Sequence, residues 1–100
     1  MNSNILKMIE YPKQGIHSKS IFKNKKMDVS LFSMAKHSEM DEHTSTKHAT
    51  IQVLEGKGIF NLEGNKIKMN PGTFIIMNKN AVHSLKAEEN TSFLLTLTNA

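Results

Sequence analysis

The sequence predicts an all-β fold of short antiparallel strands, arranged as a sandwich or a barrel. Apolar and polar residues alternate in short runs such as residues 49–54. Strong turn signals, among them Asn70-Pro71-Gly72, separate these runs at nearly even intervals, which is typical of all-β domains. A helical pattern fits only residues 3–10, for about two turns. The chain is therefore expected to bury its apolar residues between sheets.

The expected strands follow from these runs in chain order. They cover residues 16–22, 27–35, 49–54, 57–62, 66–69, 73–77, 83–86 and 92–98. Residues 36–42 are polar and are predicted to form a loop. The core candidates are Ile51, Val53, Phe60, Leu62, Phe74, Ile76, Leu85, Phe93 and Leu95.

Length and composition indicate a single domain and exclude some kinds of site. A chain of 100 residues is the size of one domain. We assign residues 1–14 to an N-terminal segment and residues 15–100 to the β-barrel domain. Cysteine is absent, so neither a disulfide nor a thiolate metal site can form within the chain.

The charge pattern and the hydropathy argue against nucleic-acid and membrane partners. All 13 basic residues are lysine, and the arginine that makes bidentate contacts to guanine and phosphate is missing. No stretch of about 18 apolar residues occurs that could span a bilayer, and the N-terminus lacks the apolar run of a signal peptide. We predict a cytoplasmic protein without nucleic-acid or membrane partners.

Two stretches of the chain carry a family resemblance. Residues 43–56 read HTSTKHATIQVLEG, and residues 70–83 read NPGTFIIMNKNAVH. Together they resemble the two motifs of small single-domain cupins, and the resemblance extends over residues 16–98. It implies a jelly-roll barrel, also described as an antiparallel double-stranded β-helix, that commonly forms a homodimer. It also implies a small-molecule ligand and a divalent metal ion in the barrel pocket.

The resemblance places four residues at the metal-ligand positions of the family. The first motif puts its ligands at His43, Ser45 and Ala49, and the second motif puts one at His83. Only the two histidines keep a metal-binding side chain, because serine is a poor ligand for a transition metal and alanine is none. The spacing of the family motif is retained, while half of its ligands are lost.

His48 is a candidate for a third ligand. It directly precedes Ala49, and neighbouring residues of a regular strand point to opposite faces. A β-bulge between His43 and Ala49 would turn His48 toward the pocket. A triad of His43, His48 and His83 would then suit a divalent transition metal: zinc, iron, nickel, manganese or copper. The alternative for His43 and His83 is a metal-free pocket in which they hydrogen-bond each other or nearby hydroxyls.

Other residues near the motifs have both a structural and a functional interpretation. The acidic residues Glu39, Asp41 and Glu42 would be either a solvated loop or acceptors that orient an imidazole. Asn78 and Asn80 fall on the proline and the glycine of the family motif, and their amides are expected to tolerate a left-handed turn. The methionines are expected to fill the core, since a thioether site for copper would need a clustering that the sequence does not display.

Several functions remain open from the sequence. A metal-bound form would be an enzyme that activates water, dioxygen or a chelating acid. A metal-free enzyme would use one histidine as general base, and the only tyrosine available as its acid partner is Tyr11, outside the motifs. The alternatives without catalysis are a sensor that binds a small molecule and a structural domain with an unused pocket.

Overall fold

The structure is a computed structural model that describes residues 3–99. Within these residues the backbone forms one short 3₁₀ helix and nine strands. The helix is Ile5–Met8, and the strands are β1 Ile16–Lys23, β2 Met27–Met34, β3 Glu39–His43, β4 His48–Glu55, β5 Gly58–Leu62, β6 Asn65–Met69, β7 Phe74–Met77, β8 His83–Ala87 and β9 Thr91–Thr98. No helix in this part of the chain is long and apolar enough to cross a bilayer.

The strands form two sheets that face each other. The larger sheet has the order β1-β2-β9-β4-β7, and the smaller has the order β3-β8-β5-β6. Every strand pair within the sheets is antiparallel. Neighbours such as β2 and β9 lie far apart in the sequence, as the crossing connections of a jelly roll require. The all-β jelly-roll prediction is confirmed.

The third strand was not predicted. The sequence indicates a loop over residues 36–42, whereas Glu39–His43 forms β3 and pairs with β8. Its side chains are almost all exposed, so it lacks the apolar alternation by which a strand is recognised in a sequence. Tertiary pairing with β8 therefore decides its conformation.

The core lies between the sheets and contains most of the predicted residues. Ile51, Val53, Phe60, Leu85 and Phe93 are buried. Of the other candidates, Leu62 and Leu95 are partly buried and pack against the core cluster.

The two core candidates on β7 are wrong. Phe74 is 57% exposed and Ile76 is 68% exposed, while Ile75 and Met77 are buried instead. The cause is the register: β7 pairs with β4 so that Ile75 lies opposite the inward Ile51. In an uninterrupted apolar run such as residues 73–77, the sequence does not tell which alternate residues point inward.

The N-terminal segment is tied to the larger sheet by side-chain contacts. The Lys19 ammonium on β1 donates to the Met8 carbonyl oxygen over 3.1 Å and forms an ion pair with Glu10. The Tyr11 hydroxyl donates to Glu55 Oε1 at the end of β4, over 2.7 Å. Burial and this carboxylate together raise the pKa of Tyr11 to about 12, so its hydroxyl stays protonated.

Candidate functional site

The structure brings His43 and His83 together. They are direct partners in the ladder between β3 and β8. Their ring centroids lie 4.0 Å apart, with the ring planes at 62°. His83 is buried, at 7% exposure, whereas His43 is exposed. One imidazole therefore lies inside the barrel and the other at its rim.

A β-bulge places His43 on the inner side of β3. The register runs from Met40 opposite Leu85 to His43 opposite His83, so β3 carries one residue more than β8 over this stretch. In a regular strand Met40 and His43 would point to opposite faces, because they are separated by an odd number of positions. The extra residue lets both of them line the pocket.

Both imidazoles are held by backbone carbonyl groups. His43 Nδ1 lies 2.7 Å from the Asp41 carbonyl oxygen, and His83 Nδ1 lies 2.9 Å from the Ala81 carbonyl oxygen. A carbonyl oxygen only accepts hydrogen bonds, so each Nδ1 carries the proton. Each neutral ring then keeps the lone pair of its Nε2 for a ligand.

The environment of His83 favours its neutral form. Burial lowers its pKa below the ordinary value, and a charge on nearby His43 acts in the same direction. The hydrogen bond to the Ala81 carbonyl opposes these effects but does not overcome them. The Phe60 ring stacks on the His83 ring with centroids 5.8 Å apart and further limits its contact with water.

A small, mainly apolar cavity of about 90 Å³ lies beside the histidine pair. It is lined by Phe32, Met40, His43, Ile51, Phe60, Met77, His83, Leu85, Phe93 and Leu95. No carboxylate is among these residues. The imidazole nitrogens are thus the hydrogen-bonding side-chain groups of an otherwise apolar wall.

His48 does not join this pair. The ladder from His48 opposite Thr98 to Ala49 opposite Leu97 is continuous. Ala49 belongs to the buried core, so His48 points to the outer face of the larger sheet. The bulge that would have turned it inward lies before His43 instead of after it.

The residues present do not fit the divalent ion that the family resemblance implies. Ser45 Oγ accepts the Lys47 N–H within its own turn, over 3.2 Å, and Ala49 has no donor atom. Among residues 3–99, no group of three or more histidine, cysteine or acidic side chains could hold a metal ion. Two imidazoles fall short of the three protein ligands of a typical catalytic zinc site.

The acidic residues of β3 lie outside the pocket. Glu39, Asp41 and Glu42 line a groove on the outer face of the smaller sheet, where Glu39 is 3.7 Å from the Lys86 ammonium. The acceptor that orients His43 is the backbone carbonyl of Asp41, not a carboxylate. Of the two interpretations of these acidic residues, the one in which a carboxylate orients an imidazole is therefore not supported.

Sequence reasoning missed Met40 and Met77. Both line the cavity beside His43 and His83. Strand pairing brings these two methionines to one cavity, although they lie far apart in the sequence. Met77 lies opposite Ala49 in the ladder between β7 and β4, and the bulge in β3 turns Met40 inward. Tyr11 binds Glu55 and does not line the cavity, so the pair has no tyrosine partner there.

Comparison with known proteins identifies the family. The cupin-domain family model matches residues 30–98, and the chain belongs to this family. A conserved protein of unknown function from Streptococcus pyogenes superposes with a TM-score of 0.89 at 19% identity, covering 100% of this chain and 88% of that chain. An RmlC-like cupin from Desulfovibrio desulfuricans gives a TM-score of 0.87 at 20% identity, over 98% of this chain and 95% of that one.

A third structure is similar over part of a longer protein. The cupin 2 conserved barrel domain protein from Leptotrichia buccalis gives a TM-score of 0.90 at 26% identity, over 97% of this chain and 47% of that chain. No curated protein matches the sequence. The comparisons thus establish the fold and the family.

Proposed function

We propose that this chain is a binding module for a small, mostly apolar molecule, held in the barrel pocket by His43 and His83. The observation that supports this most directly is the imidazole pair, with centroids 4.0 Å apart beside an apolar cavity. The backbone carbonyls of Asp41 and Ala81 fix both rings, so the pair is organised before a ligand arrives.

The chemistry of the pocket defines the class of ligand. Each Nε2 is a hydrogen-bond acceptor, so the ligand should present a donor such as a hydroxyl or an amide N–H. The cavity volume of about 90 Å³ is well below the range of roughly 300–1,000 Å³ for drug-sized ligands. A single small ring or a short branched chain fits inside, and any larger polar part would extend past exposed His43.

A divalent metal ion receives less support from this geometry than a metal-free pocket. The site has two imidazoles and no carboxylate, and His48 lies on the opposite face of β4. A buried doubly charged ion without an anionic ligand carries a large desolvation cost. Binding of an organic ligand without a divalent cofactor is therefore the function that the site supports best.

The test uses matched ligands that differ only in the donor. Phenol and its methyl ether, which lacks the hydroxyl proton, are titrated into metal-free protein while the thermal midpoint and the histidine ring NMR signals are followed. We expect phenol to raise the midpoint by mass action and the methyl ether to do so far less. The same comparison with tert-butanol and its methyl ether covers branched aliphatic ligands.

Single-residue variants test whether the organic ligand binds at the histidine pair. His43→Ala should weaken the preference for the hydroxyl compound, because it removes one of the two acceptors and leaves only His83. His17→Ala is the matched control, since His17 lies on β1 away from the cavity lining. Equal binding of both members of each pair, or an unchanged preference in His43→Ala, would contradict the proposal.

A further inference from the structure

Two thioethers share the cavity with the two imidazoles. Met77 is 4% exposed and lies opposite Ala49 in the ladder between β7 and β4. Ala49 falls on one of the metal-ligand positions of the family motif, so the Met77 side chain adjoins a position at which this chain has no ligand of its own. Met40 reaches the same cavity from β3 through the bulge before His43.

We infer that His43, His83, Met40 and Met77 form a site for a soft monovalent metal ion, Cu(I). Thioether sulfur is a soft donor that favours Cu(I), and imidazole nitrogen binds copper as well. The two nitrogens available for bonding are the Nε2 atoms, because both Nδ1 atoms bind backbone carbonyls. This inference concerns the same cavity as the proposed organic ligand but does not depend on that proposal.

The charge balance favours a monovalent over a divalent ion. None of the four donors is an anion, and no carboxylate is among the residues of 3–99 that line the cavity. The cost of burying an ion grows with the square of its charge, so a divalent ion pays roughly four times the desolvation cost of a monovalent one. A lining of uncharged donors thus favours a monovalent over a divalent ion.

The surroundings suit an ion that dissolved oxygen would otherwise oxidise. Phe60 stacks on His83, and the Phe32 and Phe93 rings, stacked at 5.2 Å, form another part of the apolar wall. His43 is exposed, so it gives an incoming ion a first ligand at the rim. The other three donors line the same cavity behind it.

The first experiment measures binding by the native protein without a histidine tag. Ag(I) serves as a probe that does not change oxidation state, and Cu(I) is titrated without oxygen against a coloured Cu(I) chelator. We expect one ion per chain, shifts of the Met40 and Met77 methyl NMR signals, and much weaker binding of Zn(II). Absence of binding, or equal affinity for Zn(II), would overturn the inference.

The second experiment uses methionine variants. Met40→Leu and Met77→Leu nearly conserve volume and remove only the sulfur, and Met69→Leu is the control because Met69 is buried but does not line the cavity. Each pocket variant should lose at least about tenfold in Cu(I) affinity, as expected for a lost ligand. Unchanged affinity in both pocket variants, or an equal loss in Met69→Leu, would contradict the site.

Two readouts on the native protein separate this inference from the proposed function. Metal-free protein that distinguishes phenol from its methyl ether, while the Met40 and Met77 methyl signals stay fixed on Ag(I) addition, would support the proposed function and overturn this inference. If a leucine variant does not fold, the methyl NMR shifts of the native protein on Ag(I) addition still show whether Met40 and Met77 bind the ion. Signals from Met40 and Met77 that stay fixed while exposed Met27 moves would show surface binding only and overturn the inference.

Discussion

At the scale of single residues, backbone carbonyls and burial determine the properties of the two central histidines. His43 and His83 each bind the carbonyl of the residue two positions earlier in the chain. This local contact selects one tautomer without any carboxylate. His83 is the buried ring of the two, and its burial couples its proton uptake to folding.

The lowered pKa of His83 predicts that the folded protein loses stability on acidification. Its pKa in the unfolded chain is about 6.5, and burial lowers the folded value. Between these two values the unfolded state binds more protons, so the free energy of unfolding falls as the pH drops from about 6.5 through the folded-state pKa. Above pH 6.5 both states are neutral at this residue and the contribution is constant.

Urea unfolding of metal-free protein between pH 4 and pH 8, roughly the range in which histidines titrate, checks this expectation. His83→Gln should remove part of the decline below pH 6.5, after correction for the stability that it loses at neutral pH. A pH profile of His83→Gln that runs parallel to the wild-type profile would show that His83 does not contribute.

The left-handed backbone of Asn80 was predicted from the family motif. Its φ angle is +66°, so the expectation for Asn80 is confirmed. Asn78 is not among the described residues with a positive φ, so the same expectation for Asn78 is wrong. The φ angle of His37 is +73° and was not predicted. Asparagine and histidine are both found in this conformation more often than most side chains.

At the scale of elements, one glycine fixes the connection from β4 to β5. Gly56 has a φ of +104°, and a Cβ there would collide with the Asn90 carbonyl oxygen and lie 2.5 Å from Thr91 Cα. These are backbone atoms, which cannot rotate away as a side chain does. The Thr91 hydroxyl also accepts the Lys57 N–H over 3.1 Å, so the two connections are held together.

Gly56→Ala should therefore destabilise the fold far more than Gly64→Ala. Gly64 has a φ of +82° with open space around it, so alanine there costs about 1–2 kcal/mol from backbone strain alone. At Gly56 the collision adds to this strain, and we expect a total of about 3 kcal/mol or more. Equal shifts of the urea midpoint in the two variants would contradict the role of the close approach.

The sequence predicted elements where side chains and turns determine them and missed what pairing determines. Alternation and glycine turns located β4 and β5, because their residues have one buried face. Pairing decides the strand character of polar β3, the orientation of β7 and the position of the bulge. None of these leaves a local pattern in the chain.

The residues of the candidate site were likewise predicted only in part. His43 and His83 followed from the spacing of the family motif, which reflects the fold. Met40 and Met77 did not, because their approach to the histidines depends on one extra residue in β3 and on the register of β7. The outward direction of His48 likewise required the continuous ladder between β4 and β9.

At the scale of the whole molecule, the exposed side chains of β7 bear on assembly. Phe74 and Ile76 project from the outer face at one edge of the larger sheet, opposite Gln52 and Thr50 of β4. None of these four side chains is charged. An uncharged patch with apolar side chains is self-complementary. A two-fold interface between identical chains requires this property, because the same patch is used on both chains.

We propose that a second copy of the chain packs on this patch to form a homodimer. Phe74→Lys with Ile76→Lys should shift the mass in solution toward the monomer, because lysines would face each other across the two-fold axis. Light scattering during gel filtration over a concentration series measures the mass directly. The two positions are already exposed, so the substitutions should leave the thermal midpoint of the monomer nearly unchanged.

The other edge of the sheet provides the control and a competing arrangement. Ile16 and Phe22 on β1 are also exposed, and β1 has a free edge that could pair with a neighbouring sheet. Ile16→Lys with Phe22→Lys should leave the dimer intact if β7 is the contact. Dissociation in these β1 variants only would assign the interface to β1. A wild-type protein that stays monomeric at concentrations of about 100 μM would exclude both arrangements as stable dimers, since a contact that weak contributes little more than about 5 kcal/mol.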